Sequence, residues 1–165
     1  LAYLFSAYPF CCVCAAAQKQ EIQEAMNRGN SYEKSYDECV DKAVDAWTKG
    51  NGRLSRAWLD AARAWQGAIK ANRELIILLV DIAYGISAPP GTTFEYDPNS
   101  RSYGATSGSK GNIKVRLCSR TFDDGPGLVA STKIHELEHA WQIHWCWSDF
   151  PGFWDDCTFW GHFTE

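Results

Sequence analysis

The chain has 165 residues, 45% of them hydrophobic and 22% charged, a size and balance that fit one globular domain and exclude disordered or collagen-like chains. A net charge of -4, with 16 basic residues scattered among 20 acidic ones, leaves no electrostatic footprint for a phosphate backbone and argues against a nucleic-acid partner. A chain of this length buries roughly two-thirds of its unfolded surface, so the fold needs no metal to exist and a metal would signal chemistry.

Residues 1–17 (LAYLFSAYPFCCVCAAA) carry no charge and end in Ala15-Ala16-Ala17. They read either as the remnant of a secretory signal or anchor or as an apolar arm packed on the domain, being short of the roughly 20 residues that a bilayer span needs. No other stretch reads as membrane-crossing. Seven cysteines (Cys11, Cys12, Cys14, Cys39, Cys118, Cys146 and Cys157) match no zinc-ribbon spacing. They point to an oxidising setting, secreted or extracytoplasmic, with the odd thiol free or paired between chains.

Residues 18–87 read as a helical hairpin. Tyr36, Val40, Ala43 and Trp47 recur at helical spacing, Ser35 and Glu38 form a candidate capping box, and Gly50-Asn51-Gly52 ends the first helix. Leu54, Trp58, Ala61, Trp65, Ile69, Leu75, Leu79 and Ile82 then trace a second stripe, whose short link to the first predicts antiparallel packing with the tryptophans in the core. Leu75 to Val80 is apolar on every side and is a candidate surface for self-association.

Residues 88–165 change character. Pro89-Pro90-Gly91, Asp97-Pro98-Asn99 and the Ser/Gly-rich run from Ser100 predict a loop-rich crossing with one short strand at Thr92 to Tyr96. Ile113, Val115 and Leu117 alternate with Lys114, Arg116 and Cys118, which predicts a strand with one buried face; the outward charges suggest an edge strand. After the turn Asp123-Asp124-Gly125-Pro126-Gly127 a helix is expected from about Leu128 to Trp147. Trp141, Trp145, Trp147, Trp154 and Trp160, with Phe150, Phe153, Phe159 and Phe163, make the end of the chain either an aromatic core or a wall suited to bulky apolar side chains.

The predicted last helix contains His135-Glu136-Leu137-Glu138-His139, an H-E-x-x-H motif. Four residues bring His135 and His139 onto one face, one turn apart, where both imidazoles can reach a metal at about 2 Å. Glu136, one step round the helix, can serve a water on that metal as general base without becoming a ligand.

The run Ile134-His135-Glu136-Leu137-Glu138-His139-Ala140-Trp141-Gln142, with the strand and turn before it, resembles the zincin metallopeptidases. More narrowly, it resembles the bacterial H-E-x-x-H-x-W-Q proteins attached to secretion-system or toxin-associated chains. The resemblance spans about Asn112 to Trp147 and implies a Zn2+ cofactor on His135 and His139, Glu136 as base, and a peptide or protein substrate. Trp141 and Gln142 match the pattern without an assigned role.

A catalytic zinc normally has three protein ligands. His144 lies nine residues after His135, about half a revolution further round an unbroken helix, and reads as a packing or surface histidine. Ser148 to Pro151 suggests a helix stop and a second short helix; folded back antiparallel, it would bring Asp156 or His162 to the level of the motif. The gluzincin branch of the family, in which a downstream glutamate completes the site, adds Glu165 or a residue beyond it.

The expected molecule is thus a predominantly helical α+β protein: a helical hairpin ahead of a small sheet and a zincin-like active-site helix. The expected activity is zinc-dependent peptide hydrolysis. The alternative is a structural or assembly protein that associates through its apolar helices and carries a vestigial or structural metal site.

Overall fold

The computed structural model describes residues 12–100 and 102–146. Most of the N-terminal arm, the aromatic tail from Trp147 onward, and the third-ligand candidates Asp156, His162 and Glu165 lie outside the described residues.

The hairpin consists of α1 (Cys12–Thr48) and α2 (Gly52–Tyr84). The reversal follows from local chemistry. Gly50 adopts φ +76°, while Gly50 N–H donates to Trp47 O and Asn51 N–H to Ala46 O, each at 2.9 Å, the double closure that ends a helix on a left-handed glycine. Asn51 then starts α2, its Oδ1 accepting from Leu54 N–H at 3.1 Å.

Two expectations for the hairpin are corrected. Ser35 and Glu38 cap nothing, because α1 runs through them and Ser35 Oγ donates to Ser31 O instead. Buried Ile22, Ala25 and Met26 before that point and Cys39, Ala43 and Ala46 after it, bridged by half-buried Tyr32 and Tyr36, give the helix one packed face on both sides of it. On α2 the buried stripe is Ser55, Ala62, Ile69, Ile76, Ile77 and Val80, rotated from the expected one. The distal part of the hairpin interface is thus built from small residues facing the alanines of α1, which leaves no room for indoles. Trp47 is 70% exposed, and Trp58 and Trp65 lie half-buried on the flanks, under Lys42 and against Tyr32 respectively.

Among the described residues the sheet has three strands, β1 (Thr92–Asp97), β2 (Gly104–Ser109) and β3 (Asn112–Cys118), in the order β1-β3-β2. β1 is parallel to β3 and β2 antiparallel to it. The strand expected at an edge, Ile113 to Leu117, is therefore the central one. Its alternation arises because only one face of the sheet is covered, and that can happen in the middle of a sheet as well as at its margin. Ile113, Val115 and Leu117 point into the core, whereas Lys114 and Arg116 lie on the open face beside Glu95 of β1, at 3.6 and 3.8 Å. The true edges are β1 and β2, and β2 arises from the Ser/Gly-rich run that reads as loop.

A 3-10 turn (Ser119–Phe122) leads to α3 (Pro126–Cys146), which begins at Pro126, where the missing N–H costs nothing. α3 lies beneath the sheet, and Val129, Leu137 and Ala140 join Ile22, Met26, Ile76, Val80, Ile113, Val115 and Phe122 in one core. The hairpin, sheet and α3 thus share a hydrophobic interior.

Two buried cations fasten these elements. Lys133 of α3 is fully buried; its Nζ donates to Ile77 O at 2.9 Å, pairs with Asp81 at 2.5 Å and sits 3.8 Å from the Phe94 ring centroid. Burial lowers its pKa, and Asp81 works against that shift. Arg73 of α2 pairs with Glu33 at 2.7 Å and Asn30 at 3.0 Å on α1 while stacking over Phe122. Cys39 and Cys118 are buried free thiols. Among the described residues, no helix is long and apolar enough to cross a membrane.

Candidate metal centre on the third helix

α3 presents His135 and His139 on successive turns of its outer face. Their Nε2 atoms are 3.2 Å apart and the ring planes are nearly perpendicular, at 89°. Two imidazole nitrogens bound to one zinc at about 2.0–2.1 Å in tetrahedral geometry would stand about 3.3–3.4 Å apart. The observed separation corresponds to a ligand–metal–ligand angle of roughly 100–105° at those bond lengths. The two side chains therefore fit a shared tetrahedral ion. Among the described residues, no third His, Cys, Asp or Glu joins them.

His139 is also held from its other nitrogen, Nδ1 lying 3.1 Å from Gln142 Oε1. His144 packs elsewhere, its ring edge-on to Trp141 and Trp145, whose indoles stack at 6.1 Å. That matches its expected direction away from the motif face.

Glu136 stands about 100° round the helix from His135 and about 60° from His139. Its side chain turns under β2 and is only 6% exposed. Thr106 Oγ lies 2.7 Å from Glu136 Oε2 and 2.9 Å from Glu136 O, so its single hydrogen serves the carboxylate or the carbonyl. Opposite the carboxylate β2 has a glycine. A Cβ at Gly104 would lie 2.7 Å from Glu136 Cγ and 2.8 Å from Oε1, so the missing side chain creates the space that the carboxylate occupies.

The main chain of β2 completes the setting. Cys118 N–H donates to Tyr103 O at 2.8 Å, in the same register as the pair Gly104↔Leu117. Alternation along an antiparallel ladder then directs the N–H and C=O groups of Gly104, Thr106 and Gly108 away from β3. They form an open edge on which, among the described residues, no strand pairs. Glu136 thus lies buried beneath the open edge of β2, while His135 and His139 converge on the outer face of the same helix.

The motif spacing points to His135, Glu136 and His139; the structure brings the two imidazoles together and sets the Glu136 carboxylate against Thr106 under β2. Gly104 and Thr106 were hidden in a run without hydrophobic alternation. Gln142 was visible only as a pattern match, although a residue three positions after His139 on a helix is within reach of its ring. No family model, curated protein or solved structure matches this chain.

Proposed function

We propose that the chain is a zinc-dependent peptidase in which His135 and His139 hold the metal, Glu136 is the general base and an extended peptide pairs along the open edge of β2. The observation that carries this reading is the 3.2 Å separation of the His135 and His139 Nε2 atoms. In the metal-free chain the two nitrogens share a hydrogen bond, and at that separation they already stand close to the spacing that a shared tetrahedral ion would require. When bound, zinc would supply the Lewis acidity that makes a water nucleophilic near neutral pH and polarises the scissile carbonyl.

The remaining steps belong to the chain itself. The outward N–H and C=O groups of Gly104 and Thr106 would align a substrate by strand addition, with affinity from main-chain hydrogen bonds and little demand on side-chain identity. Glu136, fixed by Thr106 and shielded under β2, would take the proton of the attacking water and deliver it to the leaving amine. Asp156, His162 and Glu165 remain the candidates for the third ligand. The direct test is Glu136→Gln. It should lower peptide cleavage about 10²–10⁴-fold while leaving zinc content intact, and cleavage at the wild-type rate would reject the mechanism.

A second reading, an assembly subunit, draws support from Leu75, Leu78 and Ile82, which are 44, 58 and 65% exposed on one side of α2. It requires a molecular mass that rises with concentration in sedimentation and that falls when Leu78 and Ile82 are replaced by serine.

A further inference from the structure

We infer that Gln142 is a metal-positioning residue: its amide oxygen accepts a hydrogen bond from His139 Nδ1–H and thereby fixes the tautomer that leaves the His139 Nε2 lone pair free for the ion. The inference rests on the zinc reading for its purpose, but the tautomer it assigns is a property of the metal-free chain.

The geometry is local. Helical side chains lean toward the N-terminus, so Gln142, three residues beyond His139, is carried back over the preceding turn. Its Oε1 lies 3.1 Å from His139 Nδ1, while His139 Nε2 lies 3.2 Å from His135 Nε2. The three side chains form a chain of two hydrogen bonds whose protons can point in only two self-consistent ways.

In one arrangement His139 donates from Nδ1 to the glutamine oxygen, and His135 donates from Nε2 to the vacant His139 Nε2. In the other, the glutamine NH2 donates to His139 Nδ1, His139 donates from Nε2, and His135 carries its proton on Nδ1. Neutral imidazole prefers the Nε2–H form in water, so each arrangement places one ring in the less favoured tautomer. The amide orientation in the structure matches the first, because the Gln142 oxygen rather than its NH2 group stands 3.1 Å from His139 Nδ1, and an oxygen there can only accept. The first arrangement therefore prevails. His139 is prepared for a metal in advance, and His135 must move its proton from Nε2 to Nδ1 when an ion arrives. A partner on the far nitrogen of a ligating histidine commonly changes metal affinity by about 10–100-fold.

The test compares the full chain with Gln142→Leu, which removes the acceptor, and Gln142→Glu, which retains one. In metal-free protein at about pH 8.5, where an ordinary imidazole is neutral, nitrogen-15 NMR should find the His139 proton on Nδ1 in the wild type and the Glu variant. In the Leu variant it should move to Nε2. Zinc affinity, measured by competition with a chelator, should fall about 10–100-fold in the Leu variant and hold or rise in the Glu variant, with thermal unfolding unchanged because Gln142 is exposed.

A wild-type His139 protonated on Nε2 would overturn the inference. So would a Leu variant that binds zinc as tightly as the wild type. A wild type that takes up no zinc at His135 and His139 would instead overturn the peptidase reading, and with it the role given to Gln142.

Discussion

Gly104→Ala should disable the proposed base while sparing the proposed metal ligands. The added methyl would stand 2.7 Å from Glu136 Cγ, 2.8 Å from Oε1 and 2.9 Å from Cδ, against an optimal carbon–carbon contact of about 3.5–4.0 Å. The carboxyl group must therefore retreat by about 1 Å, and it cannot do so while accepting from Thr106. Losing a hydrogen bond to a charged group costs about 1.5–3 kcal/mol, while replacing glycine at a backbone position that tolerates alanine returns about 0.4–1 kcal/mol. The net loss of stability should be about 1–2 kcal/mol. A displacement of about 1 Å at a reacting group lowers turnover about 10²-fold. Urea unfolding, zinc affinity and cleavage of an unstructured peptide should accordingly report a modest, an unchanged and a severe effect. Full cleavage by Gly104→Ala, or a loss of zinc affinity as large as the loss of turnover, would refute the assignment of that space to the base.

Thr106→Val should lower the turnover number about tenfold or more with little change in KM, and Thr106→Ser should restore most of it, since the hydroxyl that holds Glu136 is retained. Gly29→Ala should destabilise the protein, because its methyl would meet Arg73 Nη1 at 2.8 Å in the α1–α2 interface. Overpacking of about 1–3 kcal/mol should exceed the roughly 1 kcal/mol that alanine gains over glycine in a helix, as a shift in the urea midpoint would show. Lys133→Met should cost about 2–4 kcal/mol by leaving Asp81 without its partner, and adding Asp81→Asn should recover part of that loss.

The pH dependence has a definite sign at Tyr96, whose pKa is raised from 10.0 mainly by burial and next by Glu33. The folded state keeps the phenol proton after the unfolded state has released it. Stability from this group is thus complete below pH 10.0 and declines as pH climbs toward the raised value. Thermal melts should show that decline, and Tyr96→Phe should remove it.

The parts of the molecule legible in the sequence are those governed by strong local rules. Gly50 and Asn51 stop and restart a helix by hydrogen bonds within a few residues, so the hairpin could be read from them directly. The spacing of His135 and His139 fixes their common face as soon as the segment is helical. What escaped depends on neighbours distant in the chain. Alternation in Ile113 to Leu117 reports that one face is buried but not how many strands flank it, and the central strand therefore resembled an edge. The tryptophans of α2 suggest a stripe because they are large and apolar, whereas Ser55 and Ala62 face α1 because they are small. β2 carries almost no hydrophobic signal, since Gly104 and Thr106 face a carboxylate rather than an apolar core. Its cue was the run of small residues itself, which made close approach to α3 possible.

The most direct test of the zinc proposal is X-ray absorption at the zinc edge on the purified chain, compared with the double variant His135→Ala, His139→Ala. About one zinc per chain is expected, with two imidazole nitrogens at about 2.0–2.1 Å, and it should be lost in the double variant. A chain that holds no zinc, or a double variant that retains it with the same spectrum, would contradict the proposed centre.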